Sequence, residues 1–300
     1  MQVINNLDFQ LNHTAVCIGK FDGLHRGHRL LLKEAARNGE IVTMITFVFP
    51  NAKGIYSFEE KKDLAQKLGV EVFIAISLTD SFMHMSAEDF VKEILLKKCD
   101  AKKVVVGADF CFGYQRSGDA RFLRQAGQRY GFETVVLEKL MQDGEIISST
   151  GIRERLRKGQ IRQVNSLLET PYFIQGEVVA GNQIGRTMGI PTANIRPDVT
   201  KELPPLGVYT VQLEIDTKNS DRPRIYQGVA NLGTKPTVTD HREITLEVWL
   251  FDFEGDLYEK KITVYFLDYQ RPEKKFPSLD ALREQIQKDT QRAKEFLEAL

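Results

Sequence analysis

Apolar and polar positions alternate in two different ways along the chain, and the first half shows strands separated by helices. Short apolar runs cover 15–18, 41–47, 72–76, 103–106 and 134–137, and amphipathic helical patterns cover 26–37, 57–68, 87–97 and 119–130. Successive strands with a helix between them need crossover connections, so this pattern predicts a parallel sheet flanked by helices. Ligands of such sheets bind at the carboxyl ends of the strands.

Strands without intervening helices follow after about residue 170. Runs with a period of two cover 173–180, 208–213, 225–232, 243–251 and 262–269. Closely spaced strands of this kind predict an antiparallel barrel or sandwich. The chain ends in a predicted amphipathic helix that is capped by Ser278. The apolar stripe of this helix consists of Leu279, Leu282, Ile286, Ala293, Leu297 and Leu300.

Length and composition favour two domains and exclude several classes of function. The 300 residues are 42% hydrophobic, which is enough for two cores, and the change of pattern predicts domains at 1–165 and 171–300. The 41 basic residues balance the 41 acidic ones, so we expect no nucleic-acid partner. Because no apolar run could span a bilayer and the first residues do not resemble a signal peptide, we expect no membrane partner and a cytoplasmic location. The sequence leaves the oligomeric state open.

The segment Gly19–His28 follows the first predicted strand and reads GKFDGLHRGH. Its glycines allow the backbone to approach a ligand closely, and the next helix points free N–H groups into the turn, which favours phosphate. His25 and His28 are three residues apart, so both imidazoles lie on one face and could stabilise charge on a transferring phosphoryl group. The alternative is a structural glycine-rich turn with two surface histidines.

A second glycine-rich segment opens the other half, with glycines at Gly181, Gly185 and Gly189. Its backbone could wrap phosphates, or it could be a plain turn between strands. Thr192 and Asn194 follow, alternating onto one face of an extended segment. Their hydroxyl and amide oxygens are hard ligands suited to Mg²⁺ shared with ATP phosphates.

Several blocks occur together in a recognisable order. In the first half they are HxGH within Gly19–His28, then Val106–Gly113, then Ile147–Arg153. These blocks resemble the nucleotidyltransferase module of the bacterial bifunctional riboflavin kinase/FAD synthetases, which implies a Rossmann-like parallel sheet. In the second half the Pro-Thr-Ala-Asn stretch is followed by further matching positions, which together resemble the riboflavin kinase of the same family. They are the runs at 207–209, 228–233, 236–237, 246–248 and 251–258, with Arg271, Glu273, Lys275 and Phe276. This implies an antiparallel β-barrel with a terminal helix.

The resemblance implies that the chain phosphorylates riboflavin to FMN and adenylylates FMN to FAD, with ATP and Mg²⁺ in both steps. The implied catalytic residues are Glu247, as the general base of the kinase, and the two histidines of HxGH. The implied nucleotide-binding residues are Gly19, Phe21, Asp22, Gly23, Ser148, Ser149, Thr150, Arg153, Gly181, Gly185 and Gly189. The implied flavin-binding residues are Asp109, Phe110, Phe112 and Arg271, and the implied metal ligands are Thr192 and Asn194.

Several of these residues also have a purely structural interpretation. The hydroxyl cluster at 148–150 could simply cap a helix, although capping and phosphate binding are compatible. Asp109 could hold a metal, the flavin or a ribose hydroxyl, and the two phenylalanines could stack on the flavin or fill the core. Glu247 alone would be a solvent-facing strand residue, since its neighbours alternate onto the opposite face.

Two positions depart from the family pattern. The family has Thr-Phe-x-Pro-His-Pro after its second strand, whereas Asn51 stands in place of the histidine here, and Trp249 stands where a histidine commonly follows the glutamate. The first departure leaves open an alternative, a riboflavin kinase whose first domain is weak or inactive. A non-enzymatic flavin-binding regulator that acts on RNA is a further alternative, which the zero net charge disfavours.

Overall fold

The chain forms two units, one built on a parallel sheet and the other on an antiparallel sheet. The computed structural model describes residues 1–49, 52–179, 192–215, 224–236, 242–253, 255 and 257–300. These residues form two compact units, Met1–Ser149 and Thr150–Leu300.

The first unit is built on a six-stranded parallel sheet. Its strands and two small hairpins are β1 (Gln2–Ile4), β2 (Thr14–Ile18), β3 (Ile41–Val48), β4 (Val72–Ser77), β5 (Ala101–Gly107), β6 (Cys111–Phe112), β7 (Gly118–Asp119), β8 (Glu133–Leu137), β9 (Met141–Gln142) and β10 (Glu145–Ile146). The sheet order is β1-β4-β3-β2-β5-β8, and the hairpins pair β6 with β7 and β9 with β10. β2 lies next to the middle of the sheet and is buried along its whole length. The predicted parallel sheet is confirmed.

The helices of this unit connect its strands. They are α1 (Arg26–Ala35), α2 (Phe58–Lys67), α3 (Asp80–Met83), α4 (Ala87–Asp89) and α5 (Ala120–Tyr130). The predicted helix at 87–97 differs, because it continues past α4 as a π-helix, Phe90–Lys98. Its i→i+5 bonding is seen where the Cys99 N–H donates to the Ile94 carbonyl at 2.9 Å. Apolar residues buried in pairs at 90, 91, 94 and 95 fit either helix, so periodicity alone could not distinguish them.

The second unit carries an antiparallel sheet. Its helices and strands are α6 (Ser149–Arg157, whose first residue ends the first unit), α7 (Ile161–Leu168), β11 (Phe173–Glu177), β12 (Thr192–Ile195), β13 (Gly207–Ile215), β14 (Arg224–Pro236), β15 (Arg242–Leu250), β16 (Lys261–Pro272) and α8 (Leu279–Glu298). The strand order is β11-β16-β13-β14-β15-β12, with every pairing antiparallel.

The two edges of this sheet approach each other, so that it curls into a barrel. Just after β11, the Val179 N–H donates to the carbonyl of Asn194 on β12 at 2.8 Å. The barrel interior is filled by side chains that alternate along the strands, including Tyr209, Val211, Leu213, Ala230, Leu246, Val248 and Phe266, all fully buried. The predicted barrel is confirmed.

The C-terminal helix α8 covers the barrel with a shorter apolar stripe than predicted. Ser278 caps it as expected, accepting a hydrogen bond from the Ala281 N–H. Ile286 and Ala293 are buried, but Leu279 is 65% and Leu300 80% exposed. Contact with the sheet is therefore confined to the middle of the helix. Among the described residues, no helix combines the length and the apolar character that crossing a membrane would require.

Candidate active sites

The turn between β2 and α1 has a backbone that few sequences could adopt. Phe21, Gly23 and Leu24 have φ values of 47°, 83° and 43°, in the left-handed region. Phe21 and Leu24 are also fully buried. His25 is the N-cap residue of α1, and its side chain makes no capping hydrogen bond to the first turn of the helix.

The imidazoles of His25 and His28 stack on each other. Their centroids are 3.7 Å apart with an angle of 20° between the ring planes, and the Phe21 ring contacts His28 edge-to-face, with the centroids 5.2 Å apart. Both Nδ1 atoms are buried without a hydrogen-bond partner among the described residues. A polar atom buried in this way needs a partner, so the pair is suited to a polar ligand. His25 is buried and His28 is partly buried, so the interpretation as two surface histidines is wrong.

Burial sets the charge of this pair. It lowers the pKa of His25 to about 4. The pKa of His28 lies well below its ordinary value of 6.5, first because of burial and then because of the positive charges of His25 and Lys61. At neutral pH both rings are therefore uncharged, and each carries one N–H donor.

Asp22 is buried and ties the turn to two other segments. Its carboxylate accepts a hydrogen bond from the Ile55 N–H at 2.8 Å, and its carbonyl accepts one from the Ser149 hydroxyl at 2.8 Å. Ser149 is the first residue of α6, so one member of the predicted hydroxyl cluster lies beside the turn. The rest of that predicted group lies on or next to the same helix: Ser148 just before it, with Thr150 and Arg153 within it.

Lys61 is a residue of this site that sequence reasoning did not find. Its Nζ donates to the Lys20 carbonyl at 3.2 Å and to the Thr46 hydroxyl at 3.4 Å. It belongs to α2, far along the chain from the glycine-rich turn, and a lysine in an amphipathic helix gives no distinguishing signal. Only the position of α2 beside β3 brings it to the turn.

The second block of the first half is partly core. Phe112 is buried and packs against Phe90 and Phe122, with ring centroids 5.3 and 5.8 Å away, so the structure places this residue in the core. Phe110 is only partly buried, at the margin of the core. Its ring stacks on that of Phe112, with the centroids 5.5 Å apart. Asp109 is exposed and pairs with Lys139 at 2.9 Å. Of the three, Phe110 keeps an open surface that a planar ring could cover.

Strand register assembles the site of the second unit. On β15, Glu247 pairs with Asn194 of β12 on one side and with Asn231 of β14 on the other. Directly paired residues point to the same face of a sheet, as do residues two apart, so Thr192 and Glu247 share that face as well. Asn194 is buried, whereas Glu247 is only partly so. The sequence prediction that these three residues lie together agrees with this register.

Arg271 is held by the C-terminal helix. Its Nε donates to both carboxylate oxygens of Asp289, at 3.0 and 3.1 Å, and its Nη2 donates to one of them at 2.6 Å. Its Nη1 donates to the Pro272 carbonyl at 3.1 Å. The structure thus shows a link between β16 and α8, while contact of Arg271 with the flavin stays a prediction.

Gly181, Gly185 and Gly189 lie outside the described residues, as does Asn51. Within the described part of the chain, no group of three or more histidine, cysteine, aspartate or glutamate side chains could hold a metal ion. The metal ligands predicted here are of another kind, a hydroxyl and an amide.

Comparison with known proteins connects both sites to one family. Residues 8–151 match the model of FAD synthetases, and residues 168–297 match that of riboflavin kinases. The bifunctional riboflavin kinase/FMN adenylyltransferase of Escherichia coli is 36% identical over 292 residues, 93% of this chain and 91% of that protein. The protein of the same description from Buchnera aphidicola (subspecies Schizaphis graminum) is 34% identical over 309 residues, 98% of this chain and 97% of that one. The chain belongs to this bifunctional family.

Membership of the bifunctional riboflavin kinase/FMN adenylyltransferases confirms the resemblance seen in the sequence. Because both family models match, the bifunctional prediction is favoured over a kinase with an inactive first half. A crystal structure from Streptococcus pneumoniae, described as a macrolide-efflux protein, has the same fold. It is 28% identical, with a TM-score of 0.83, and the match covers 96% of this chain and 97% of that one.

Proposed function

We propose that this enzyme transfers the γ-phosphoryl group of ATP to riboflavin, giving FMN and ADP, and the adenylyl group of a second ATP to FMN, giving FAD and pyrophosphate. We assign adenylyl transfer to residues 1–165 and riboflavin phosphorylation to residues 171–300. The observation that carries the proposal is that each unit has its own reactive group. One is a buried, uncharged histidine pair at the start of α1, and the other is Glu247 beside Asn194.

In the first unit, the start of α1 and the two imidazoles receive the α-phosphate of ATP. The N–H groups of the first turn of the helix and one N–H from each histidine donate to its oxygens, on which negative charge grows during transfer. The phosphate of FMN attacks the α-phosphorus of ATP and pyrophosphate leaves, so no covalent enzyme intermediate is needed. Gly19 and Gly23 are proposed to let the backbone of the turn approach the nucleotide closely, and Ser148, Thr150 and Arg153 are further proposed nucleotide-binding residues.

In the second unit, Glu247 accepts the proton of the terminal ribityl hydroxyl as that oxygen attacks the γ-phosphorus. Its place on a strand fixes the carboxylate, because β12 and β14 pair with β15 on both sides. Phe110 and Asp109 in the first unit, and Arg271 in the second, are proposed to contact the flavin. For Phe112 the core position supports a role in backing Phe110.

Thr192 and Asn194 are the proposed holders of Mg²⁺. The fit rests on the chemistry of the donors: a hydroxyl and a buried amide oxygen share a face with the carboxylate of Glu247, and all three offer hard oxygen atoms. When bound, the ion neutralises charge on the ATP phosphates. We further propose that the enzyme works in the cytoplasm, where its nucleotide substrates are made.

Product analysis tests the proposal. The protein is incubated with ATP and Mg²⁺ and either riboflavin or FMN, and flavins and pyrophosphate are separated and measured. We expect FMN and FAD from riboflavin, and FAD with an equal amount of pyrophosphate from FMN. FMN as the end product in the first reaction, with no pyrophosphate in the second, would reduce the protein to a kinase. Flavin binding without ATP turnover would favour a regulator.

A further inference from the structure

Lys61 lies outside every motif noted in the sequence, yet it reaches the turn that precedes α1. The Lys20 carbonyl accepts hydrogen bonds from two side chains, the Lys61 ammonium at 3.2 Å and the Thr46 hydroxyl at 3.0 Å. Lys20 directly precedes Phe21, the first residue of the turn with a left-handed backbone. The turn is therefore anchored from β3 and α2 at the point where its unusual conformation begins.

The charge of Lys61 also acts on the histidine pair. Burial lowers the pKa of Lys61, and the carboxylate of Asp22 partly offsets this, so the ammonium has a nearby anion. The charged or titratable groups that act on His28 are His25 and Lys61. The two arginines nearest in sequence bond elsewhere, Arg26 to the side chain of Gln142 and Arg29 to the Leu24 carbonyl. Among the described residues, Lys61 is thus the cation from outside α1 that influences this imidazole.

We propose that Lys61 is a positioning residue for adenylyl transfer, whose ammonium holds the turn at Lys20 and keeps His28 in its uncharged form when the anionic phosphates of ATP arrive. This inference rests on the adenylyl transfer proposed above.

The physical reason lies in what ATP does to an imidazole. A phosphate next to a histidine favours the imidazolium, because opposite charges attract more strongly at a buried site. An imidazolium would bind the triphosphate of the ground state tightly, and binding that is equal in the ground and transition states does not accelerate the reaction. The positive charge of Lys61, which is held at the turn by its hydrogen bond to the Lys20 carbonyl, opposes this protonation, so His28 keeps its role as a neutral donor.

The test begins with the titration of His28 in the full-length protein, followed by NMR. The sequence has five histidines, few enough to resolve, and the His28→Ala variant identifies the signal. In Lys61→Met we expect the midpoint of His28 to rise by about one pH unit, a tenfold gain in proton affinity. Lys61→Arg keeps the charge and should leave the midpoint near that of the wild type.

The matched control is Lys62→Met. Lys62 is the next residue of the same helix, and its ammonium pairs with Glu59 instead of reaching the turn. This variant removes the same charge and volume, and we expect no change in the titration of His28. An unchanged midpoint in Lys61→Met, or an equal shift in Lys62→Met, overturns the proposal. Should Lys61→Met fail to fold, Lys61→Gln decides by the same criterion.

The second readout is the pH profile of FAD formation from FMN. In Lys61→Met its acidic limb should move to higher pH, with kcat/KM down about tenfold at the pH where the wild type is half active. FMN formation by the same sample should be unchanged. A fall in FAD formation that is equal at every pH would mean a purely structural lysine, against the proposal. If the wild type forms no FAD at all, the proposed function fails, while the titration still decides the effect of Lys61 on His28.

Discussion

The two sites of this enzyme are built by different means. In the first unit the reactive side chains are the stacked His25 and His28, and a turn with left-handed residues and contacts from α2 and β3 surrounds them. In the second unit Glu247 takes its place from the register of three neighbouring strands. The turn depends on its backbone conformation and on the packing around it. The register of the strands depends instead on backbone hydrogen bonds, which are compatible with many different side chains.

The difference extends to protonation. Burial removes the charge of the histidines, so the first site has its protonation state set by the protein around it. Glu247, in contrast, is only partly buried on its strand. The first site should therefore respond to changes of volume and pH, and the second to changes of one functional group.

The largest effect should come from the carboxylate of the second site. Glu247→Gln keeps the size and the strand pairing but removes the proton acceptor, so we expect FMN formation to fall about a thousandfold. FAD formation from supplied FMN should stay within about twofold of the wild type, because the first site is separate. Both rates are measured on one sample by separation of the flavins.

Glu243→Gln is the matched control for this change. Glu243 lies four residues earlier on β15, on the same face, and pairs with Arg196 at 3.0 Å. We expect both activities to survive in it. Loss of both activities in Glu247→Gln would contradict two independent sites.

The next largest effect should be on FAD formation, with FMN formation unchanged. His28→Ala removes one donor to the α-phosphate and opens a gap beside His25, so FAD formation should fall about a hundredfold or more. FMN formation from riboflavin should be unchanged in the same preparation. If FAD formation survives this substitution, the stacked pair is structural and the adenylyl-transfer site must lie elsewhere.

Alternating patterns made most of the fold predictable. Strand–helix alternation predicted the parallel sheet, and period-two runs with turns between them predicted the antiparallel barrel, because each pattern reflects which faces of an element are buried. β1 was missed, since a strand of three residues is too short to show a periodicity. The predicted apolar stripe of the C-terminal helix was too long, because amphipathicity shows which face of a helix is apolar but does not show how far the surface that it covers extends.

The sites were predictable only where they are local in sequence. The histidines and their turn stand together in one ten-residue segment, and Thr192 stands beside Asn194. Lys61 and Asn231 reach their sites through tertiary packing and strand pairing, and a single sequence has no signal for such contacts. The same limit explains Arg271, whose bond to Asp289 depends on where α8 docks.

Acid should destabilise the first unit more than the second. The pKa of His25 is about 4 in the fold and about 6.5 when unfolded, so the unfolded chain takes up its proton first as pH falls. The free energy of unfolding should therefore fall between pH 6.5 and pH 4, by up to about 3 kcal/mol from this group, and level off below pH 4. His28 contributes in the same direction.

Unfolding by guanidinium at pH 7 and pH 5 measures this effect. Far-UV circular dichroism follows both units, while fluorescence of Trp249, the only tryptophan of the sequence, follows the second alone. We expect the circular dichroism midpoint to drop at pH 5 more than the fluorescence midpoint does, and His25→Gln to reduce that drop. Equal drops for both signals in both proteins would show that the buried pair is not the source.

The smallest effect should separate activity from stability within the first site. Gly27 is the second residue of α1, and a Cβ there would lie 3.3 Å from Cε1 and Nδ1 of the His25 ring, closer than packing normally allows. Gly27→Ala should therefore shift that ring and reduce FAD formation about fivefold, because donors must sit close to the transferring group. Alanine is also the better helix former, so the melting temperature should stay the same or rise.

Gly39→Ala is the opposite control. The φ of Gly39 is 85°, so alanine there should cost about 1 kcal/mol of stability, but the space around Gly39 is open and activity should stay intact. If Gly27→Ala instead lowers stability and activity together, the substitution disrupts the local fold. The loss of activity then gives no support to a specific role for the tight packing around His25.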